Sequence, residues 1–224
     1  MRVNAQFDRQ VVVRPDDREW VPSPSGGVER CMLDRIGGEV ARATSLVRFA
    51  PGSRFEAHTH GGGEEYLVLE GTFSDETGDF PAGTYVRNPI GTGHAPHTAE
   101  GCTIFVKLRQ FDRADDRQFA TRIADVPRAP AGGTGVSSAV LHEHSGGDGT
   151  ERVTLIRFEP GGQAPAHEHP GGEEILVLEG TFQDADGDYP AGTWIRSPAG
   201  SGHEPFSTEG CLLYVKHGHL PPRD

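Results

Sequence analysis

The stretch that decides the fold is His58-Thr59-His60-Gly61-Gly62-Gly63-Glu64-Glu65-Tyr66-Leu67-Val68-Leu69-Glu70-Gly71. In it, two histidines two positions apart are followed by a glycine-rich bend, adjacent glutamates and an apolar run. Residues two apart on an extended strand point to the same face, so the two imidazoles project side by side. A reversal through the glycines then brings a glutamate within reach of them. Histidines that converge with a carboxylate predict a metal site.

The same stretch occurs a second time. It begins 109 residues after the first copy and reads His167-Glu168-His169-Pro170-Gly171-Gly172-Glu173-Glu174-Ile175-Leu176-Val177-Leu178-Glu179-Gly180. In a chain of 224 residues, this repeat predicts two similar domains, each with a metal site of its own.

The composition predicts an all-β fold. Glycine (31 residues) and proline (17 residues) are abundant and the apolar runs are short, as in proteins built from many strands and tight turns. One such turn is predicted over residues 145–149. Residues 1–111 are predicted to form an N-terminal arm and the first domain, residues 112–135 a linker with a short helix over Arg113 to Ala120, and residues 136–224 the second domain.

Charge and cysteine content exclude several classes of function. With a formal net charge of −12, the surface repels phosphate backbones and anionic lipid heads, so neither nucleic acid nor a membrane is predicted as a partner. No apolar run approaches the roughly 18 residues that span a bilayer, and the N-terminus lacks the apolar core of a signal peptide. Three cysteines do not make a disulfide framework. These features predict a cytoplasmic protein with reduced, buried thiols.

A second block in each copy adds a third histidine. Gly52-x5-His58-x-His60-x3-Glu64-x6-Gly71 is followed by Gly83-x5-Pro89-x-Gly91-x2-His94. Gly161-x5-His167-x-His169-x3-Glu173-x6-Gly180 is followed by Gly192-x5-Pro198-x-Gly200-x2-His203. These blocks resemble the two signature motifs of the cupin superfamily, matched twice. One departure is that many cupins have asparagine where this chain has Thr98 and Ser207, a position that is not a metal ligand.

The resemblance implies two tandem cupin jelly-roll barrels (double-stranded β-helices) with one divalent metal ion in each. It assigns two ligand sets, one of His58, His60, Glu64 and His94, and one of His167, His169, Glu173 and His203. Three neutral imidazoles and one carboxylate suit a divalent first-row metal ion, and the single negative charge limits the cost of burial.

Strand parity distinguishes the adjacent glutamates. If the bend leaves the strand in phase, Glu64 shares a face with Tyr66, and Glu65 faces the other way. Glu64 and Glu173 are therefore the predicted ligands, and Glu65 and Glu174 are predicted to lie behind the ligands or at the surface.

Two simpler interpretations compete with paired metal sites. The histidines could be solvated strand residues or hydrogen-bonded core groups, and one site could have lost its metal. Eight ligand-type residues at duplicated spacing argue against the first, and the complete ligand sets of both copies argue against the second.

The remaining histidines give weaker signals. His97 is predicted either to line the first pocket or to lie in a loop. The pairs His142 with His144 and His217 with His219 have no carboxylate at ligand spacing, so they are predicted to be exposed or to lie near a site, and not to form a third one. Basic residues that recur in both copies are predicted to form salt bridges more often than to orient an anion: Arg48, Arg87, Lys107, Arg157, Arg196 and Lys216.

Among the cupins, the chain resembles most the cupin domain of ChrR-type anti-sigma factors. The segments that carry this resemblance are residues 63–73, residues 81–89 and Glu100-Gly101-Cys102. That domain binds zinc and responds to reactive oxygen, so the resemblance implies binding or regulation related to stress or redox state. The helical sigma-binding domain of those factors is not expected here, because residues 1–47 hold one cysteine, no histidine and no helical pattern.

The alternative is an enzyme. Cupin dioxygenases that cleave diketones and related carbonyl compounds use the same four ligands. The ChrR resemblance favours zinc, whose coordination is usually completed by four protein ligands. Iron, manganese or nickel would leave about two positions for substrate and oxygen. The ligands alone do not choose between them, and no catalytic residue is predicted.

The two copies differ around the predicted sites, which predicts chemically inequivalent pockets of which at most one is catalytic. A small molecule in a barrel is the predicted partner besides the metal ions, and the oligomeric state stays open, a homodimer included. The differing pairs are Phe55 and Ala164, Thr59 and Glu168, Tyr66 and Ile175, Ala95 and Glu204, and His97 and Phe206.

Overall fold

The structure is a computed structural model, and it describes residues 1–146 and 149–220. Strands joined by turns dominate these residues, in which the only helical elements are two 3-10 turns, at Pro15–Asp17 and Ile123–Asp125. Within the same ranges, no helix has the length and hydrophobicity that crossing a bilayer would require. The prediction of an all-β fold is confirmed.

The described residues form twenty-two strands, β1 to β22 in chain order. The first twelve are β1 (Arg2–Val3), β2 (Val11–Val13), β3 (Trp20–Pro22), β4 (Val28–Gly37), β5 (Ala41–Phe49), β6 (His58–Thr59), β7 (Glu64–Asp75), β8 (Gly78–Pro81), β9 (Thr84–Asn88), β10 (Gly93–His94), β11 (Cys102–Leu108) and β12 (Phe119–Arg122). The others are β13 (Ala129–Pro130), β14 (Thr134–Gly146), β15 (Gly149–Gln163), β16 (His167–His169), β17 (Glu173–Asp184), β18 (Gly187–Pro190), β19 (Trp194–Ser197), β20 (Ser201–His203), β21 (Phe206–Ser207) and β22 (Cys211–His217).

The chain forms two compact units. The first unit comprises residues 1–5 and 19–125, and the second comprises residues 6–18 and 126–224. These limits differ from the predicted ones, because the N-terminal arm is divided between the units. Its strand β2 pairs with β19, with Val13 opposite Trp194, and so extends the sheet of the second unit.

The two units have corresponding topologies, as the sequence repeat predicts. In the first, the main sheet has the order β1-β4-β5-β11-β7-β9-β12, and β6 pairs with β10 in a separate ribbon. In the second, β15 and β17 both pair with β22, β17 also pairs with β19, and β16 with β20 forms the ribbon. The prediction of two jelly-roll barrels in tandem is confirmed.

Alternate residues of the central strands form the core of each unit. Tyr66 of β7 and Val106 of β11 lie in the first core, and Ile175 of β17 and Val215 of β22 lie in the second. Because side chains alternate between the two faces of a strand, the neighbouring residues point the other way. Burial of these apolar faces is the main driving force for folding each barrel.

The short helix predicted over Arg113 to Ala120 is wrong. Asp112 caps a turn by accepting a hydrogen bond from the backbone N–H of Ala114. The chain then extends into β12, in which Phe119 lies opposite Arg87 of β9. Pairing with the open edge of a sheet outweighs the weak helical propensity of this polar segment.

The predicted linker also contains structure. Its last part includes β13, which pairs with β14, with Ala129 opposite Ser138. The turn predicted over 145–149 joins β14 to β15, which pair up to Gly146 and Gly149. Residues 147 and 148 lie outside the described residues.

A buried arginine cluster closes the first unit behind β7. The Arg87 guanidinium donates hydrogen bonds of 2.6 Å to Glu65 and 2.6 Å to Asp115, and Tyr85 donates one of 2.6 Å to Glu65. The guanidinium also lies 4.1 Å from the ring centroid of Phe111. These contacts hold the segment after β11 against the sheet.

The second unit has a corresponding buried arginine, Arg196, which contacts residues of the N-terminal arm. Arg196 donates a hydrogen bond of 3.0 Å to the Gln6 carbonyl and lies 4.1 Å from the ring centroid of Phe7. Glu174, the counterpart of Glu65, accepts a hydrogen bond of 2.9 Å from Trp194 and lies 3.0 Å from His219 Nε2. The arm and the C-terminal segment are thus fixed by the same buried polar row.

Replacement of Arg87 by methionine is expected to lower the free energy of unfolding by about 3–5 kcal/mol, because two buried carboxylates lose their counterion. Urea unfolding measures the change. The control is Arg48→Met, which removes a half-exposed arginine 3.9 Å from Glu29 and should cost about 1 kcal/mol or less. Equal losses in both variants would contradict a special role for the buried cluster.

Candidate metal centres

The first centre consists of His58, His60, Glu64 and His94. The ribbon of β6 and β10 places His58 directly opposite His94. Gly63, at φ 76°, turns the chain from this ribbon into β7, which begins at Glu64. Only glycine adopts this backbone conformation without strain, which explains the glycine-rich bend between the histidines and the carboxylate.

The four side chains of the first centre face one point. One potential ligand atom from each residue lies within 4.8 Å of those of the other three. The imidazole centroids are 5.2 Å apart for His58 and His60, 5.0 Å for His58 and His94, and 4.7 Å for His60 and His94. Glu64 Oε1 lies 3.5 Å from Nε2 of His60 and 3.5 Å from Nε2 of His94.

The second centre, formed by His167, His169, Glu173 and His203, repeats this geometry. His167 lies opposite His203 in the ribbon of β16 and β20. The three ring-centroid distances are 4.8, 4.9 and 4.9 Å. Glu173 Oε2 lies 3.5 Å from His169 Nε2 and 3.6 Å from His203 Nε2. The structure therefore brings the eight residues of the motifs together in two groups of four, one in each unit.

The unused ligand atoms fit a bound cation. Among the described residues, Nε2 of His60, of His94 and of His169 and Oε2 of Glu173 are buried and make no hydrogen bond. Buried polar atoms nearly always have a partner. Three imidazole nitrogens and one carboxylate oxygen around a common point are donors that a divalent first-row ion accepts. The residues present therefore fit a metal ion at both centres.

The other ring nitrogens are held from behind. Nδ1 of His58 lies 3.0 Å from the Glu56 carbonyl oxygen, and Nδ1 of His60 lies 3.0 Å from Thr92 Oγ1. Nδ1 of His94 lies 3.0 Å from Asp75 Oδ2. Such contacts fix the ring orientation and favour the proton on Nδ1, so that Nε2 presents its lone pair to the centre.

The second centre has looser support from behind. Nδ1 of His167 lies 2.8 Å from the Pro165 carbonyl oxygen, but Nδ1 of His203 lies 3.6 Å from Asp184 Oδ2. Ser201, which takes the place of Thr92, has a buried hydroxyl with no hydrogen-bond partner in the described part of the chain. The two centres thus share their ligands and differ in the groups behind them.

Burial favours the neutral form of His60 and of His169, the form that metal binding requires. Burial is the largest cause that lowers the pKa of His60, and burial together with His203 and His167 lowers the pKa of His169 to about 3. Burial also raises the pKa of Glu173 to about 7. A cation at the second centre would favour the ionised form of this carboxyl group.

The aspartates behind the centres stay ionised. Burial alone would raise the pKa of Asp75, but hydrogen bonds from Thr77 and His94 outweigh it and lower the pKa. The pKa of Asp184 is likewise lowered, because His203 and the backbone N–H of Asp186 outweigh burial. Neither aspartate was predicted from the sequence, although each precedes the third histidine of its copy by 19 residues.

The structure distinguishes the two positions predicted for the second glutamates. Glu65 and Glu174 are 1% and 0% exposed, so the surface alternative is wrong. Glu65 points away from the centre and bonds Arg87, as strand parity predicts. Salt bridges predicted for the basic residues are confirmed for Arg87, for Arg157 with Glu179 at 2.9 Å and for Lys216 with Glu151 at 2.8 Å.

The remaining histidines do not form a third centre among the described residues. His97 lies where the backbone bridges Arg54 and Ser74. His142 is buried, so the exposed alternative of its prediction is wrong. His217 lies beside the second centre, with its ring centroid 6.1 Å from that of His169.

The fold and the ligand arrangement define this protein as a bicupin. The chain belongs to the ChrR cupin-like domain family, whose profile matches residues 8–112 and 116–221. The anti-sigma-E factor ChrR of Cereibacter sphaeroides is 35% identical over 121 residues, which cover 46% of this chain and 54% of that protein. The match thus spans about half the length of the curated relative.

Solved structures share the fold at low identity. A protein from Nostoc punctiforme PCC 73102, provisionally assigned as a dioxygenase, has a TM-score of 0.78 and 16% identity, covering 96% of this chain and 85% of that one. The Escherichia coli pirin YhhW, solved with nickel(II), has a TM-score of 0.68 and 14% identity, covering 96% of this chain and 100% of that one. At these identities the similarity establishes the fold alone.

Substitution of Asp75 by asparagine is expected to weaken metal binding at the first centre about 10–100-fold, because His94 loses the carboxylate that orients it. Competition with a chromophoric chelator measures the affinity, in a His169→Ala background that isolates the first centre. Asp79→Asn is the control, since Asp79 is exposed and accepts a hydrogen bond from Ser74. An affinity equal to that of the control would contradict the role of Asp75.

Proposed function

We propose that this bicupin binds one divalent metal ion in each barrel. The ligands are His58, His60, Glu64 and His94 in the first, and His167, His169, Glu173 and His203 in the second. The observation that carries the proposal is the convergence of three imidazoles and one carboxylate in each unit. Nε2 of His60, His94 and His169 and Oε2 of Glu173 are buried there and make no hydrogen bond within the described residues. A bound cation would supply the partner that each of these atoms lacks.

The role that we favour is binding or regulation related to stress or redox state. It is supported by membership of the ChrR cupin-like domain family and by the anti-sigma-E factor among the relatives. Zinc suits this role, because four protein ligands complete its usual tetrahedral coordination and leave only the less common fifth position for another ligand.

A metal-dependent dioxygenase acting on a small carbonyl or diketone-type substrate is the second candidate. His58 and His167 are exposed whereas His60 and His169 are buried, so each centre faces solvent on one side. A six-coordinate ion such as iron, manganese or nickel would have about two positions open on that side. The fold shared with the structure provisionally assigned as a dioxygenase is consistent with this chemistry.

A cytoplasmic location accompanies both candidates. Cys102 and Cys211 are buried free thiols in the structure, and burial raises the pKa of Cys102 to about 11. Unpaired, protonated thiols are typical of reducing compartments.

Metal analysis of protein purified without added metal tests the central proposal. Two equivalents per chain are expected, with one lost in His60→Ala, one in His169→Ala and both in the double variant, because each substitution removes a ligand from one centre. Circular dichroism controls for folding. Retention of two equivalents in either single variant would contradict the assigned ligands.

The identity of the metal separates the two roles. Zinc at both centres, without oxygen consumption in the presence of 1,3-diketones, supports the binding role. Iron, manganese or nickel together with oxygen uptake supports the dioxygenase. In that case His60→Ala and His169→Ala should reduce uptake unequally, since the pockets differ, and equal losses would contradict their inequivalence.

A further inference from the structure

The end of the last strand distinguishes the two centres. His217 ends β22 and lies opposite the ligand Glu173 of β17. At the corresponding place in the first unit, Leu108 ends β11 and lies opposite the ligand Glu64. The residue next to the carboxylate ligand is therefore a leucine in the first barrel and an imidazole in the second.

The imidazole of His217 faces the interior of the second barrel. Leu213 and Val215, four and two positions before it on β22, both belong to the core, so His217 continues the inward face. Its counterpart Leu108 packs against the core of the first barrel. The Nε2 atom of His217 is buried and makes no hydrogen bond in the described ranges. The second centre thus has an unused polar atom beside its ligands.

A second difference enlarges the space near this centre. In the first unit, the ring centroid of Phe55 lies 5.7 Å from that of Phe49 and 6.2 Å from that of His58. Ala164 takes the place of Phe55 in the second unit and packs against its core with a side chain of one carbon. Near its ligands, the second pocket thus lacks the ring of Phe55 and has an imidazole in place of a leucine.

Charge determines the kind of ligand that this pocket would accept. One divalent ion with its three neutral imidazoles and Glu173 would carry a net charge of about +1, which favours an anion in contact with the ion. The ionised Asp184 lies on the other side of the His203 ring, 3.6 Å from Nδ1. Arg152 lies opposite His217 on β15 and pairs with the half-exposed Glu143. A neutral imidazole has one N–H donor for an anionic oxygen.

We propose that His217 makes the second centre a binding site for a small carboxylate, which the ion holds through one oxygen while His217 donates a hydrogen bond to the anion. Leu108 offers no such donor, so the first centre binds carboxylates more weakly. This inference rests on the proposed metal binding at both centres. His217 is a ligand-contacting residue and not a fifth protein ligand of the metal.

Acetate titration of cobalt(II)-loaded protein tests the proposal. In a His60→Ala background only the second centre is loaded, and changes in the cobalt absorption spectrum report acetate binding. His217→Leu is expected to weaken acetate binding about 10–100-fold, the effect of losing one hydrogen bond to a charged group. His217→Gln, which keeps an N–H donor, is expected to recover part of the affinity. The affinity for cobalt should stay the same in both variants.

The reciprocal variant is the matched control. In a His169→Ala background, which loads only the first centre, Leu108→His is expected to strengthen acetate binding. Unchanged acetate affinity in His217→Leu would overturn the proposal, and so would a large loss of cobalt affinity, which would make His217 a metal ligand. Failure of either single-centre background to bind cobalt would instead contradict the proposed metal binding itself.

Discussion

Buried ligand atoms without hydrogen-bond partners are the constraint on which both centres depend. Each such atom left unpaired costs about 1–3 kcal/mol relative to a solvated one, and the described residues contain four of them at the two centres. A polypeptide does not usually carry that cost twice, at positions related by an internal repeat. A bound divalent ion would remove the cost by accepting these lone pairs, and the stability of each barrel would then depend on metal binding.

Adjacent glutamates on one strand divide the two tasks of the site. Glu64 and Glu173 point inward to the histidines, whereas Glu65 and Glu174 point the other way into buried polar rows. Those rows fix the segments that close each barrel, through Phe111 in the first unit and Phe7 in the second. Because side chains alternate along a strand, one face of β7 and of β17 lines the candidate metal centre, and the other face anchors segments distant in sequence.

Patterns local in sequence predicted most of the structure, and pairings distant in sequence account for the errors. Spacing and strand parity predicted the two clusters of three histidines and an inward glutamate, and the family resemblance predicted the two barrels. Residues 113–120 were predicted as a helix, but a turn follows Asp112 and the chain pairs with the open edge of β9 from Phe119 onward. The association of β2 with β19 joins residues about 180 positions apart, which no local pattern indicates. His217 lacked a carboxylate at ligand spacing, and alignment of the repeats against Leu108 was the signal that could have identified it.

The two barrels have identical candidate ligands but different residues around them, such as Phe55 and Ala164 or Leu108 and His217. The central claim is that each ligand set holds its own ion. Anomalous X-ray scattering from crystals of protein purified without added metal tests it most directly. Two peaks are expected, each about 2.0–2.2 Å from three imidazole nitrogens and one glutamate oxygen. Absence of both peaks, or peaks away from these eight side chains, would contradict the account.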